Sequence, residues 1–498
     1  MFNRLKKLIE YIKKLNLSID KYKESTIIQS LPTVAYVNRA KKCLEENNLI
    51  EAETILLEAL NLSEKDPLVY KYLGTVYDKK NEHTKAVEAY KKSAQICYTD
   101  KTIWQKLGFA QLACNDFEEA EKSFENADKI SPANSDTFTG WGMTLMKQKK
   151  YEDAREKFVT ASRINKYNFT SIFLAAVCEI KIGAHKEAEA KLTFLANVCP
   201  NETNTYEFAN LKFIKKDYKN AKHYAMKSLE FNKNMLPSYL LLGKLYTIEL
   251  DRDKALEMYS TAAKRELNNS NLYTEWGKSL LKFTNFDEAE NKFVKALEYD
   301  GENSESMAYL ALTRMLKHND DEVLIQMAQD GGADSIIIDL ITAVREYNNG
   351  NYDGAAALFR KIETEDFEFL TTYFMAKINE VKKNKSKAVD FYEKSMNLNP
   401  YFLKCGLDYT RFLIADNEYS EAQRKLRKIV KIYDKDLEVL NLQFFVSYTL
   451  VKENVCEYNI KEAITLAEKI IQISDSGFEY HKEKEDLENL LKNFKESE

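Results

Sequence analysis

Glycine and proline are scarce in these 498 residues, at 14 and 6. Sandwiches and barrels need such residues at their many turns, so the shortage argues against all-β architectures and for helices. Disorder is excluded from the other side, because 44% of the chain is hydrophobic and 30% charged, enough to build a core. The seven cysteines (Cys43, Cys97, Cys114, Cys178, Cys199, Cys405, Cys456) form no C-x-x-C pair and no cysteine–histidine cluster at metal-ligand spacing. They read as buried thiols of a reducing compartment. No window approaches about 18 uncharged apolar residues, the length of a membrane span. Lys13 and Lys14 interrupt the apolar start before it reaches signal-peptide length. Excess positive charge is missing too: 73 basic against 78 acidic residues leave −5, with no field to concentrate a polyanion. A cytoplasmic protein with no nucleic-acid partner is expected.

What the chain has is a period. Ala52, Ala86, Ala120, Ala154, Ala188, Ala221, Ala255 and Ala289 stand 34 residues apart with one step of 33, and Ala355, Ala388, Ala422 and Ala463 continue the series after one degenerate repeat. A fixed period of this size means stacked supersecondary units. Twelve residues before these alanines sits a small residue, at Ala40, Gly74, Gly108, Gly142, Ala176, Ala209, Gly243, Gly277 and Ala343. Seven residues after many of them sits another, at Ala59, Ala94, Ala127, Ala161, Ala262 and Ala296. Small and large residues at these offsets describe two antiparallel helices per repeat, whose backbones are expected to cross closely at the small positions. Trp104, Leu107 and Phe124 seal the third repeat, each worth roughly 1.5–3 kcal/mol on burial. Polar pairs such as Asn115–Asp116 and Lys149–Lys150 suit the turn between helices, and Pro132, Pro200 and Pro400 follow second helices.

These residues resemble the tetratricopeptide repeat (TPR) family. Its pattern W-x2-L-G-x2-Y, then A-x3-F, A and P is nearly reproduced by Trp104, Leu107, Gly108, Ala120, Phe124, Ala127 and Pro132, with Gln111 where the family has an aromatic. The resemblance covers about residues 33–478. It implies an all-α, right-handed solenoid of tandem antiparallel helical hairpins, with 12 to 13 repeats. It also implies a concave groove for peptides or partner proteins, and no catalytic residue.

The register breaks twice. In the ninth repeat Val323 replaces the second alanine, Asp330 stands at the third small position, and Gly331–Gly332 should end the second helix. A degenerate repeat that packs anyway is the preferred reading, and a hinge the alternative. From Ala422 to Ala463 the step is 41 residues, where "KENVCEYNI" is expected to lengthen a turn. The expected organisation is a basic amphipathic N-terminal helix over 1–32, a first array over 33–335, a second over 336–478, and a charged capping helix over 479–498. The N-terminal segment, with Phe2, Leu5, Leu8, Ile9, Ile12 and Leu15 at helical spacing among lysines, can cap the first repeat or lie on an anionic membrane through residues 1–17. Capping is preferred.

Catalytic signatures are missing. The chain has no G-x-x-x-x-G-K-[ST], G-x-G-x-x-G or H-E-x-x-H stretch. Its five histidines do not converge, His83 and His185 being assigned to the same inter-helix turn of two repeats. Glu118–Glu119 and Glu152–Asp153 are read as first-turn residues that offset a helix dipole. No catalytic residue, cofactor or metal is expected, and the protein is read as no enzyme.

In the TPR family positions 2, 5, 9 and 12 of each first helix line the groove. Carried onto this chain, they give a largely apolar strip of Phe109, Leu112, Met143, Met146, Phe173, Val177, Ile180, Tyr206, Phe213 and Leu240. The chaperone-binding clamp is missing, since Thr75 stands where it needs Asn, and of the asparagine ladder of glycosyltransferase-linked arrays only Asn38 is present. The expected function is a non-enzymatic scaffold that holds a protein or peptide segment in the groove. Two alternatives are a recognition subunit of a protein-modifying complex such as a glycosyltransferase, and a membrane-associated assembly factor.

Overall fold

A computed structural model of the chain describes residues 33–362, 366–453, 455–473 and 478–497. Among these residues there are 27 helices and no strand. They form thirteen consecutive pairs, from Val34–Glu45 with Leu49–Leu62 to Leu437–Glu453 with Glu457–Ile473, followed by Phe478–Ser497. The expected N-terminal helix lies outside the described residues. The chain divides into two compact units, at Phe231/Asn232. Within each, helices pack on their sequence neighbours, and most first helices also touch the first helix of the next repeat.

Local chemistry repeats with the same period as the alanines. First helices are capped by Asp66, Asp100, Asn134, Asn168, Asn201, Asn269 and Asn303, whose side chains accept backbone N–H groups of the opening turn. Between first and second helix the chain turns through a left-handed residue in nearly every repeat: Asn47, Asn81, Asn115, Lys149, Gly183, Lys216, Leu250, Thr284, His318, Gly350, Lys383 and Asn417. Asn and Gly accept this conformation; Lys, Leu and Thr are strained in it. His83 and His185 prove to open second helices rather than sit in the turn. Glu118–Glu119 and Glu152–Asp153 lie in first turns as expected.

At the glycines the small residue makes room for a ring. A Cβ built on Gly108 would stand 2.8 Å from the Phe124 ring, and one on Gly142 2.7 Å from Phe158. In five repeats an aromatic ring (Tyr90, Phe124, Phe158, Tyr259 or Phe293) lies flush on the glycine of its own hairpin. Where the small residue is Ala40, Ala176 or Ala209, the ring's place is taken by Leu56, Leu192 or Ala225, whereas Ala343 and Ala376 keep the buried rings Phe359 and Tyr392 at the same offset. Every ring and alanine of this set is buried. Cysteines are less so: Cys43, Cys178 and Cys405 are buried, but Cys114 is exposed and the other three half-buried, and all seven are free. Nothing in the hairpin contacts demands that these thiols be covered.

Both register breaks have simple causes. In the ninth repeat the turn is two residues longer, so the second helix starts at Glu322 and Ile325 takes the alanine's place, leaving Val323 exposed. That helix stops at Asp330, and Gly332 adopts φ 76°. The core is nonetheless continuous across this point, joining Phe293, Leu312, Ala328, Leu340 and Tyr373 in one cluster. In the thirteenth repeat the turn is not lengthened. The extra residues extend the helices, to 17 each, because apolar residues continue through Leu450–Val451 and Leu466–Ile470. The final helix covers this repeat with Leu487, Leu490, Leu491 and Phe494.

Two substitutions test the account. Gly108→Ala should lower stability by about 1–3 kcal/mol, since the Phe124 ring has nowhere to move. Lys149→Gly should raise it by about 0.5–1 kcal/mol by relieving the left-handed turn. Thermal melts monitored by circular dichroism decide both, and a melt of Gly108→Ala that overlays the parent would refute the ring-on-glycine packing.

Candidate functional site

The first helices carry two kinds of side chain on the face assigned to the groove. Toward their N-terminal ends the residues are polar and bond to the next repeat. Lys71 donates to Asp100 at 2.8 Å, Gln105 to Asn134 at 2.9 Å and to Thr137 at 2.6 Å, and Asn168 to Ser135 at 2.8 Å and Thr139 at 3.0 Å. In the second unit Thr274 and Ser306 are 2.6 Å apart and Asn303 donates to Ser270 at 2.8 Å, while Thr247 and Ser279, 2.6 Å apart, make a like bond near the C-terminal ends. Asp100, Asn134, Asn168 and Asn303 thus cap one helix and bond the preceding one. This ladder was missed in the sequence, although the Asn and Asp caps recur every 33 or 34 residues and were legible there.

The apolar candidates lie mostly toward the C-terminal ends of the same helices. Phe109 and Met143 stay open, at 39% and 36% exposure. Leu112, Met146, Phe173, Val177, Tyr206 and Phe213 are half-buried. The Phe109 ring stands edge-on to Phe124 at 5.1 Å and would touch a Cβ on Gly140, so it is anchored on one side while keeping its exposure. Ile180 and Leu240, at 7% each, are buried and leave the candidate strip. Ile180 packs into the core of its hairpin beside Leu192 and Phe208. Leu240 sits in the second unit, on a helix whose apolar residues run round its whole circumference, with Tyr239, Leu241, Leu242 and Leu245 also buried. At Tyr206 burial, reinforced by the Glu207 carboxylate, pushes the phenol up to about 12. Burial likewise raises the Glu207 carboxyl, against the Asn210 amide that bonds it.

The second unit differs because its turns close on themselves. Asn399 Nδ2 donates to the Lys282 carbonyl at 2.6 Å, Thr284 Oγ1 to the Tyr401 carbonyl at 2.8 Å, and Lys282 Nζ to the Asp366 carbonyl at 2.6 Å. Phe283 meets Tyr401 edge-on at 5.3 Å, and Tyr433 bonds the same Tyr401 carbonyl at 2.6 Å. This clasp joins residues 117 positions apart. Behind it the first helix Glu368–Val381 is buried almost all round, including Leu370, Tyr373 and Phe374. Groove positions there have become core.

With this geometry in place, the repeats can be compared with known ones. The tetratricopeptide repeat profile matches residues 73–100 and 102–134, the second and third hairpins. These two hairpins match the tetratricopeptide repeat family. A solved structure of the APC/C hetero-tetramer Cut9–Hcn1 is similar over 94% of this chain and 97% of that one, at 12% identity and TM-score 0.51, which concerns the fold alone. A TPR protein from Parabacteroides merdae is 16% identical over 47% of this chain and 92% of its own, at TM-score 0.40. The Pseudomonas aeruginosa pilF structure is 20% identical over 41% and 94%, at TM-score 0.37. No curated protein matches by sequence. The α-solenoid class is therefore as expected. Among the described residues no group of three His, Cys, Asp or Glu could hold a metal ion, and no helix is long and apolar enough to cross a membrane.

The clasp has a direct test. Asn399 is wholly buried, and Asn399→Ala leaves the Lys282 carbonyl without its partner. A loss of about 1–3 kcal/mol is expected, with faster amide exchange in the helices 270–282 and 368–381 and none of the change in residues 67–198. Unchanged exchange in both helices would show that the clasp holds nothing.

Proposed function

We propose that this TPR protein is a non-enzymatic cytoplasmic scaffold whose first unit holds an extended or helical segment of a partner protein against its first helices. One observation carries the reading. Phe109 and Met143 present open apolar surface on consecutive repeats, beside half-buried Leu112 and Met146. The polar groups nearby are engaged in the ladder. Affinity comes from these apolar anchors, and polar groups at the rim set the register of the bound segment.

Affinity capture from source cells tests this. Phe109→Ala and Phe173→Ala should each weaken recovery of the principal partner by roughly 1–3 kcal/mol, as central aromatic anchors do, while the exposed Lys147→Ala should change little. Circular dichroism confirms matched folding. If both aromatic variants fold and retain their partners at full strength, the reading fails.

A further inference from the structure

Behind the clasp the second unit keeps a cavity of about 160 Å³. Its wall is built by Val344, Leu370, Tyr373, Phe374 and Phe402, all buried. Its exposed lining residues are His318, Asn348 and Lys404, which mark the mouth. An apolar cavity of about 150 Å³ is enough to hold benzene, so the space fits one phenyl ring. The wall offers a hydrated ion little to replace its water.

Among the described residues, the mouth carries one lysine outside any ion pair. Asp408 accepts the Tyr373 hydroxyl at 2.7 Å and faces Arg411 at 3.4 Å, a guanidinium it shares with Glu438. Lys377 is paired with Glu380 at 3.0 Å. Lys404 has no ion-pair partner among the described residues. An exposed cation thus stands at the mouth of a ring-sized cavity. We propose that this pocket binds a phenylalanine side chain of a partner peptide with acidic residues next to it, the ring entering the cavity and a carboxylate meeting Lys404. The site is separate from the first-unit face, and either can fail alone.

The test is fluorescence anisotropy of the full chain with a dye-labelled pentapeptide, a phenylalanine between two aspartates on each side. Saturation below about 1 mM is expected. Replacing the peptide's phenylalanine by alanine, or its aspartates by lysines, should weaken binding about 10-fold or more. Val344→Phe fills the cavity and should do the same. Lys404→Glu, on the surface and harmless to folding, should weaken binding about 5-fold at low salt and less at 0.5 M, where charges are screened. Phe109→Ala should leave the peptide's affinity unchanged. No saturation at 1 mM, equal binding of the alanine peptide, indifference to Lys404→Glu, or a loss with Phe109→Ala would each overturn the proposal. If Val344→Phe does not fold, Lys404→Glu decides alone.

Discussion

Five hairpins share one closing contact, an aromatic ring lying against the glycine of the facing helix. Phe124 on Gly108 is typical: the ring is fully buried and has no clearance for even one carbon beneath it. The contact fixes both the distance and the azimuth of the two helices, because a ring can lie flat on a residue without a side chain only in one rotation of each helix. Once azimuth is fixed, so is which residues face the neighbouring repeats. The open positions of Phe109 and Met143 and the caps that bond the previous helix all follow from it. In three repeats an alanine at the glycine's place is matched by a smaller residue across the pair, as Ala176 with Leu192 shows.

Between repeats a second, weaker constraint recurs. Glu53 pairs with Lys80 at 2.7 Å, Glu121 with Gln148 at 2.7 Å, Glu189 with Lys215 at 2.5 Å and Glu290 with Lys317 at 2.9 Å, each joining a second helix to the end of the next repeat's first helix. Such partly exposed pairs contribute at most about 1 kcal/mol each. Their value lies in repetition at a constant offset, which disfavours sliding of one hairpin along the next. Arg314, standing where a hairpin usually has an apolar residue, joins the same system by bonding Glu290 at 2.9 Å and Asp321 at 2.6 Å.

Hairpins were legible in the sequence because period and residue size are one-dimensional signals. Ala120, Phe124 and Gly108 declare their partners by spacing alone. The elongated helices of the thirteenth repeat were misplaced as a long turn, since "KENVCEYNI" is polar and only the apolar residues to either side show that helix continues up to it. The candidate face was half legible. Position 9 gave Phe109 and Met143, which are exposed, but burial of Leu240 depends on how tightly its neighbours pack, and no spacing rule carries that. The clasp was invisible for the same reason. Asn399 and Lys282 lie 117 positions apart, whereas period and residue size are signals local to one or two repeats.

Thr284 makes that link at a cost, being a β-branched residue held at φ 57° while its hydroxyl reaches Tyr401. The consequence concerns how such a chain can change its length. Where repeats touch only their neighbours, as they do in the first unit, a hairpin can be duplicated or deleted and the array closes up with the same contacts on either side. Between Thr284 and Tyr401 that freedom is gone, because one hairpin more or fewer would carry the two ends of the clasp past each other. The first unit is a segment whose repeat number is free to drift, and the second is one whose repeat number is counted.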